Sequence, residues 1–232
     1  MITLRRATRR HHVRRRRQDT WNTFRPLDDS DPLALGFGAL ETLDESCLPP
    51  DASIAPHPRH EAEIVTYVLK GSLAQGDSNG RSGVINAGEF QRMITGRSVR
   101  RSERNASQTD WAHVFRMSLR PRESGLDCTH EQKLFSVAER RGVLCVVASP
   151  DGRKGSLHIH EDALIYSGIL DVGQHLIHEL SQGRIAWLHV VRGEVTLGDL
   201  VLATGDGVGI TAELAVSFTA REATEALLVD LA

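Results

Sequence analysis

Several residue types are scarce in this chain of 232 residues, and each scarcity excludes a class of protein. It has only three cysteines, Cys47, Cys128 and Cys145, and none of them form a Cys-x-x-Cys pair, so neither a disulfide framework nor a thiolate zinc site is expected. No uninterrupted apolar run approaches the roughly 18 residues of a transmembrane helix. The basic N-terminus is not followed by the apolar stretch of a secretory signal. The sequence therefore predicts a soluble, cytoplasmic protein that does not bind membranes.

Net charge is also small, at −2, but it is distributed unevenly. Residues 1–17 contain eight arginines and no acidic residue, so the rest of the chain is acidic. We interpret residues 1–17 as a basic N-terminal arm that is either solvated or paired with the rest of the protein. No aromatic residues alternate with these arginines to stack on bases, which disfavours nucleic acid as a partner. An interaction module that uses the arm to recruit a protein partner stays an alternative.

Short strand-like segments separated by turns dominate the remaining sequence. Residues 63–69 form a β-branched and aromatic run, and residues 77–80 and 86–89 carry turn signals. Residues 111–119 alternate large apolar with smaller or polar side chains, which is typical of a strand with one buried face. One helix is predicted, near residues 131–138.

The second half of the chain repeats the pattern of the first. A strand, a turn of a basic residue and glycine, and a second strand occur around Gly71 and again around Gly193. The following turn of small residue, glycine and acid is repeated at Gly88 and Gly205. Two copies of one small antiparallel barrel, joined near residues 149–152, explain this repetition.

Two segments contain side chains of the kind that bind metals. One is His-Pro-Arg-His-Glu-Ala-Glu at 57–63, and the other is Arg-Arg-Ser-Glu at 100–103. In extended strands, residues 57, 59 and 63 share one face, and residues 101 and 103 share another. A His-x-His pair facing a His-x-Glu pair would bind iron or manganese and leave positions open for substrate. Here arginine occupies one position of each pair.

Taken together, these motifs resemble the pirin family, in its shorter bacterial form. The resemblance implies an all-β fold of two cupin barrels (jelly rolls) packed face to face, here at 18–145 and 146–232, with a metal site only in the first. It also implies a divalent metal such as iron, manganese, nickel or copper, and quercetin 2,3-dioxygenase activity in some members. The stretches that carry the resemblance are residues 19–24, 36–40, 57–71, 88–93, 102–103 and 155–160.

Carried over position by position, the four metal ligands of the family fall on His57, Arg59, Arg101 and Glu103. An arginine stays protonated and has no lone pair for a metal, so two of the four ligands are lost. We hypothesise that Arg59 and Arg101 occupy the space of the metal and donate hydrogen bonds to Glu103. This predicts a degenerate site with no metal or other cofactor, which binds a small anionic or aromatic ligand or has a regulatory role. The oligomeric state is left open, with a monomer as the expectation.

Two alternatives keep a metal. A bulge before Glu63 could turn His60 inward and create a shifted site of His57, His60, Glu63 and Glu103. Alternatively, a quercetin 2,3-dioxygenase could tolerate the altered ligands, but it needs a redox-active metal. Asn22 occupies a position where members of the family commonly have histidine, which weakens a transfer of their chemistry.

The remaining histidines are interpreted as structural. His158 and His160 have ligand spacing but no second pair to match them. His175 and His178 would lie on opposite faces of a strand and are expected at the surface. His113 alternates with apolar residues, so it is expected in the core or in the wall of a pocket.

Overall fold

The chain folds into two units that consist almost entirely of strands. The computed structural model describes residues 1–26, 28, 30–54, 62–78, 80, 82–95, 101–123 and 125–232, with only the backbone at positions 95 and 101. The N-terminal unit comprises His11–Phe24 and Leu40–Leu134. The C-terminal unit comprises Met1–Arg10, Arg25–Ala39 and Phe135–Ala232. The predicted all-β class with two cupin units is confirmed.

Two sheets form the N-terminal unit, a seven-stranded one in the order β12-β9-β6-β11-β4-β3-β2 and a four-stranded one in the order β5-β10-β7-β8. Its strands are β2 (His11–Arg15), β3 (Gln18–Asn22), β4 (Leu40–Leu48), β5 (Ser53–Ile54), β6 (Ala62–Lys70), β7 (Ser72–Asp77), β8 (Ser82–Asn86), β9 (Glu89–Thr95), β10 (Arg101–Asn105), β11 (Ala112–Leu119) and β12 (His130–Leu134).

The C-terminal unit has the same two-sheet construction, in the orders β1-β20-β17-β22-β15-β13-β14 and β16-β21-β18-β19. Its elements are β1 (Ile2–Arg5), α1 (Val137–Arg140), β13 (Cys145–Ser149), β14 (Leu157–His158), β15 (Ala163–Leu170), β16 (His175–Glu179), β17 (Ile185–Arg192), β18 (Glu194–Leu197), β19 (Leu200–Ala203), β20 (Gly207–Ile210), β21 (Ala215–Ala220) and β22 (Thr224–Leu231), with short 3-10 turns at Ala7–Arg9 and Arg153–Gly155.

The two faces of the seven-stranded N-terminal sheet carry different side chains. Val68 and Val114 point inward and join the apolar core that also contains Leu73 and Ile85 of the four-stranded sheet. The next residues along β6 and β11 point to the opposite face because side chains alternate along a strand. We call the first face the interior of the N-terminal barrel and the second its outer face.

The predicted internal repeat is present in the fold. Gly71 joins β6 to β7 and Gly193 joins β17 to β18, with φ of 74° and 88°. A Cβ atom at either position would lie within 2.6 Å of a backbone carbonyl oxygen, of Trp111 or of Ala223. Only glycine satisfies both the left-handed conformation and the close approach. The two units thus repeat the same strand–turn–strand motif at corresponding places.

The helix predicted near 131–138 is wrong. Residues 130–134 form the edge strand β12, which pairs with β9, and only a single helical turn follows at Val137–Arg140. Exposure alternates along β12, as is typical of a strand. Here the pairing with β9 outweighs the local helix propensity. The turn begins at Ser136, whose side chain forms a capping box with Glu139. In the described part of the chain, no helix is long and apolar enough to cross a membrane.

The expected N-terminal arm is not a separate segment. Residues 2–5 form β1, which pairs with β20, and residues 11–15 pair with β3 in a hairpin. Arg5 forms a buried ion pair with Asp31, and Arg6 binds Asp206, at 2.7 Å each. Pairing with the protein itself, one of the two interpretations of the arm, is therefore correct for these residues.

The predicted ranges 18–145 and 146–232 also need correction, because residues 25–39 and 135–145 belong to the C-terminal unit. Phe37 explains how the first of these segments is held. Its ring packs 5.5 Å from that of Trp187. It also lies over Gly209 of β20, where a Cβ atom would be 2.3 Å from the ring.

Candidate functional site

Of the four predicted ligand positions, 103 is the one at which the structure describes the side chain, that of Glu103. It lies on β10 between Ile54 of β5 and Gln75 of β7, and its side chain is 12% exposed. Arg101 lies two residues earlier on the same strand, opposite Asp77. His57 and Arg59 lie outside the described residues, as does His60 of the alternative site. Whether the four predicted positions converge stays a prediction.

The carboxylate of Glu103 is bound by an arginine that the sequence analysis did not select. Arg116 of β11 donates from Nη1 to Oε2 of Glu103 at 2.7 Å, and its side chain is only 6% exposed. Arg116 shares the inward parity of Val114, so the ion pair crosses the interior and links the two sheets. An ion pair between two largely dehydrated groups at this distance is strong and directional.

A second pair of polar side chains, Asp44 and Asn22, lies next to this ion pair. Asp44 lies opposite Arg116 in the pairing of β4 with β11, and it is 8% exposed. Nδ2 of Asn22 on β3 donates to Oδ1 of Asp44 at 2.8 Å. The amide at position 22 therefore serves as a hydrogen-bond donor to a buried carboxylate, and it cannot act as an acid or base as an imidazole could.

A cavity of about 50 Å³ lies in the same interior, lined by residues of β7, β8, β9 and β12. Gln75, the cross-strand neighbour of Glu103, forms part of its wall, as do Gln91, Met93 and His130. Among the described residues, the buried Nε2 of Gln75 and Oε1 of Gln91 have no hydrogen-bond partner. Unpaired buried polar atoms are costly, and both side chains belong to the lining of a space that a ligand or water could fill.

The described residues do not supply a ligand set for a divalent metal. Within the described ranges there is no group of three or more His, Cys, Asp or Glu side chains that could hold one. The Glu103 carboxylate already accepts a hydrogen bond from a guanidinium, and the two other predicted ligand positions at 59 and 101 are arginines. A cation that binds Glu103 would have to displace the Arg116 guanidinium.

The shifted metal site is wrong. It needs Glu63 and Glu103 on the same side, but β6 pairs with β9 without a register shift from Ala62 to Tyr67. Glu63 is therefore on the outer face, opposite in parity to Ile64 and Thr66, and it is fully buried 4.0 Å from Nε of Arg92. Glu103 belongs to the interior.

Other histidines lie apart from this site. His175 and His178 are both on β16, on opposite faces as predicted. His175 is exposed and contacts Thr219, but His178 is not a surface residue, since its side chain is 13% exposed and bonds to the buried Asp230 at 2.7 Å. His158 and His160 contact each other edge to face at 5.1 Å.

Sequence reasoning missed Arg116, Gln75 and Gln91. The only signal for Arg116 was a charged residue in the middle of a strand that otherwise reads as buried. Gln75 and Gln91 carried no motif, because a glutamine in a strand is equally common at the surface. Their importance comes from the sheet register, which places them around one cavity.

Comparison with known proteins agrees with this architecture. A family model described as Pirin matches residues 4–118, and one described as Quercetinase C-terminal cupin domain matches residues 146–231. A protein of Escherichia coli (strain K12) named quercetin 2,3-dioxygenase is 36% identical over 231 residues, which covers 100% of this chain and 99% of that protein.

Solved structures show the same likeness. YhhW from Escherichia coli matches with a TM-score of 0.92 at 35% identity, covering 100% of this chain and 98% of that one. A second structure, bacterial pirin YhhW in complex with nickel(II), matches with a TM-score of 0.89 at 35% identity, covering 100% and 99%. With two cupin units in this order and a relative of this identity along its whole length, the chain belongs to the pirin family.

Proposed function

We propose that this pirin-family bicupin has a metal-free site in its N-terminal barrel that binds a small anionic or aromatic ligand. The observation that carries the proposal is the ion pair between Glu103 and Arg116 beside a cavity, with two buried amide atoms that have no partner within the described parts of the chain. In this interpretation, arginines occupy the space that a metal occupies in relatives. The cation is replaced by guanidinium groups, and the glutamate remains as their partner.

Charge supports an anion as the ligand. If Arg59 and Arg101 lie at this site as the family pattern implies, they add two guanidinium groups to that of Arg116, which is already bound to Glu103. Arginine binds carboxylates in a planar, two-pronged geometry, which favours a carboxylate-bearing ligand. The amide atoms of the cavity can both donate to and accept from a hydroxyl group.

The size of the cavity supports a small ligand. A volume of about 50 Å³ is well below the roughly 300 Å³ at which pockets for drug-sized molecules begin. Within the described residues, the cavity has room for a few waters or the polar end of a molecule. A phenolic acid is therefore a better first probe than a complete flavonol.

Elemental analysis and calorimetry test the proposal. The untagged protein, offered each first-row divalent metal and then freed of excess, should contain far less than one metal per chain. 4-Hydroxybenzoate should bind this protein, and Arg101→Gln should weaken binding about tenfold because a charge-assisted bond is lost. The matched control is Arg153→Gln, an exposed arginine of the C-terminal unit that pairs with Asp151. Near-stoichiometric metal, or equal affinity in both variants, would contradict the proposal.

A second candidate function is a metal-dependent quercetin 2,3-dioxygenase. The full-length similarity to a protein of that name favours it. It requires His57 and Glu103 to hold a metal without the other two ligands, while Arg116 competes for the carboxylate. Oxygen uptake with quercetin and added nickel, measured beside a Glu103→Gln variant, decides between the two functions. Turnover that needs Glu103 would establish the dioxygenase.

A further inference from the structure

Three reactive side chains lie in a row on the outer face of the N-terminal barrel, away from the cavity. Cys47 of β4 and His113 of β11 are direct cross-strand partners. Nε2 of His113 lies 2.7 Å from Oε1 of Glu45, which precedes Cys47 by two residues and so shares its face. The Cys47 thiol is also hydrogen-bonded to the His113 side chain. A thiol, an imidazole and a carboxylate are thus connected in that order.

The three side chains differ in exposure. Cys47 is partly buried, the His113 side chain is 25% exposed and that of Glu45 is 11% exposed. Glu45 is the most buried of the three residues, whereas Cys47 and His113 both keep some exposed surface. His113 was expected in the core or in a pocket wall, but its parity is opposite to that of Val114 and Arg116, so it does not face the interior. The proposed ligand site does not use these groups.

Charged side chains on the neighbouring strands lie around Cys47 and His113. Asp19 of β3 lies opposite Cys47 and is bound by His12, with Arg14 at 3.8 Å, and Lys70 of β6 lies opposite His113. Burial lowers the pKa of His113, but hydrogen bonds to Cys47 and Glu45 outweigh it and raise the pKa from 6.5 to about 9. The ring is therefore an imidazolium at neutral pH, beside the thiol.

We propose that Cys47 is an activated thiol that forms covalent adducts with α,β-unsaturated carbonyl compounds, with His113 as its acid–base partner and Glu45 as a positioning residue. Because the His113 ring is already protonated, the thiol loses its proton to water, and the adjacent imidazolium stabilises the thiolate. The sulfur attacks the β carbon and forms an S–C bond, while the π electrons of the C=C bond move to the enolate. His113 then donates its proton to the α carbon and regains a proton from water. The net reaction adds S–H across the double bond and consumes no oxidant.

The test uses the two other cysteines of the same chain as internal references, because Cys128 and Cys145 are also partly buried. The full-length protein is treated at pH 7 with a limiting amount of N-ethylmaleimide, and each cysteine peptide is quantified over time by mass spectrometry. We expect Cys47 to react about tenfold faster than either reference, because thiols beside an imidazolium are enriched in thiolate.

Variants separate activation from simple exposure. His113→Asn and Glu45→Gln should each slow labelling of Cys47 while the rate at Cys145 stays constant, and His175→Asn, at an exposed histidine of the C-terminal unit, should change neither. Equal labelling of the three cysteines in the unmodified protein would overturn the proposal. The proposal would also be overturned if neither Glu45→Gln nor His113→Asn changed the rate at which Cys47 is labelled. If His113→Asn does not fold, the unmodified protein and Glu45→Gln still decide.

Discussion

Arg116 and Glu103 neutralise each other where little water reaches them. Replacing Arg116 with methionine would leave a buried carboxylate without its partner, and we expect the free energy of unfolding to fall by about 3–5 kcal/mol. The double variant Arg116→Met/Glu103→Leu removes both charges and should recover most of that loss. Urea unfolding of the single and double variants measures both effects.

The exposed pair of Arg153 and Asp151 provides the control for this cycle, since both side chains are 52% exposed. Arg153→Met should change the free energy of unfolding by less than about 0.5 kcal/mol. If the double variant at the buried pair is as unstable as Arg116→Met, the loss comes from packing of the arginine stem and not from the uncompensated charge.

His113 should make stability depend on pH. Its pKa is raised in the folded protein, so its contribution is complete below the unfolded pKa of 6.5 and is lost as pH rises through about 9. We expect the free energy of unfolding to decrease between these limits by up to about 3 kcal/mol, since one pKa unit corresponds to about 1.4 kcal/mol. Denaturant unfolding at several pH values, compared with His113→Asn, measures it. If the free energy of unfolding of His113→Asn decreases with pH as steeply as that of the unmodified protein, other groups cause the pH dependence.

For single residues, the sequence predicted which side chains belong to the site better than it predicted the side chains that they contact. The family pattern selected Glu103, which lies in the barrel interior as a site residue should. It did not predict that Arg116 binds Glu103, because that contact depends on how two sheets face each other. For the same reason it did not predict that His178 is largely buried against Asp230.

Among the elements, the turn between β6 and β7 is the most constrained. Gly71→Ala would place a Cβ atom 2.5 Å from the carbonyl oxygen of Trp111 at a φ of 74°. We expect the melting temperature to drop, with a loss of about 1–3 kcal/mol from strain. Gly83→Ala in β8 is the matched control, since a Cβ atom there would have no other atom within 4 Å. Equal effects at the two glycines would remove the steric explanation.

In the β2–β3 hairpin, by contrast, substitutions in the turn are expected to stabilise the protein. Arg16 and Arg17 have φ of 46° and 72°, which are unfavourable for residues with a side chain. Arg16→Asn/Arg17→Gly introduces the pair preferred in such turns and should stabilise the protein by about 1 kcal/mol. Thermal unfolding measures the gain. Arg14→Gln/Arg15→Gln removes the same charge outside the turn, and an equal gain there would indicate relief of charge repulsion instead.

Strands with strong local signals were predicted well, and weakly patterned ones were not. Residues 63–69 lie within β6 as expected, because β-branched and aromatic residues follow one another there. The polar segment 130–134 has no such signal, and its pairing with β9 determines its structure.

For the whole molecule, the central prediction concerns the lost metal ligands. Arg59→His/Arg101→His restores the family pattern of three histidines and one glutamate, and it should bind nickel when either single variant does not. Elemental analysis after removal of excess nickel measures the binding. In the control, Glu103→Gln is added to this double variant and should reduce its nickel binding. If the double variant binds no divalent metal, the assignment of these positions is wrong.

The repeat and the family motifs predicted two cupin units, but not how the chain is divided between them. Residues 2–5 form a strand only because β20 offers an unpaired edge, and Phe37 docks because Gly209 leaves room for its ring. Both partners lie more than 170 residues away in the sequence, where local patterns cannot reveal them.

The pairing of β1 with β20 also matters while the protein is being made. Because synthesis runs from the N-terminus, β1 leaves the ribosome about 200 residues before Gly207–Ile210. The described strands of the N-terminal unit all lie within residues 11–134, so this unit can fold while β1 still lacks its neighbour. A polypeptide that stalls before residue 207 would therefore present β1 as an open strand edge to chaperones and proteases.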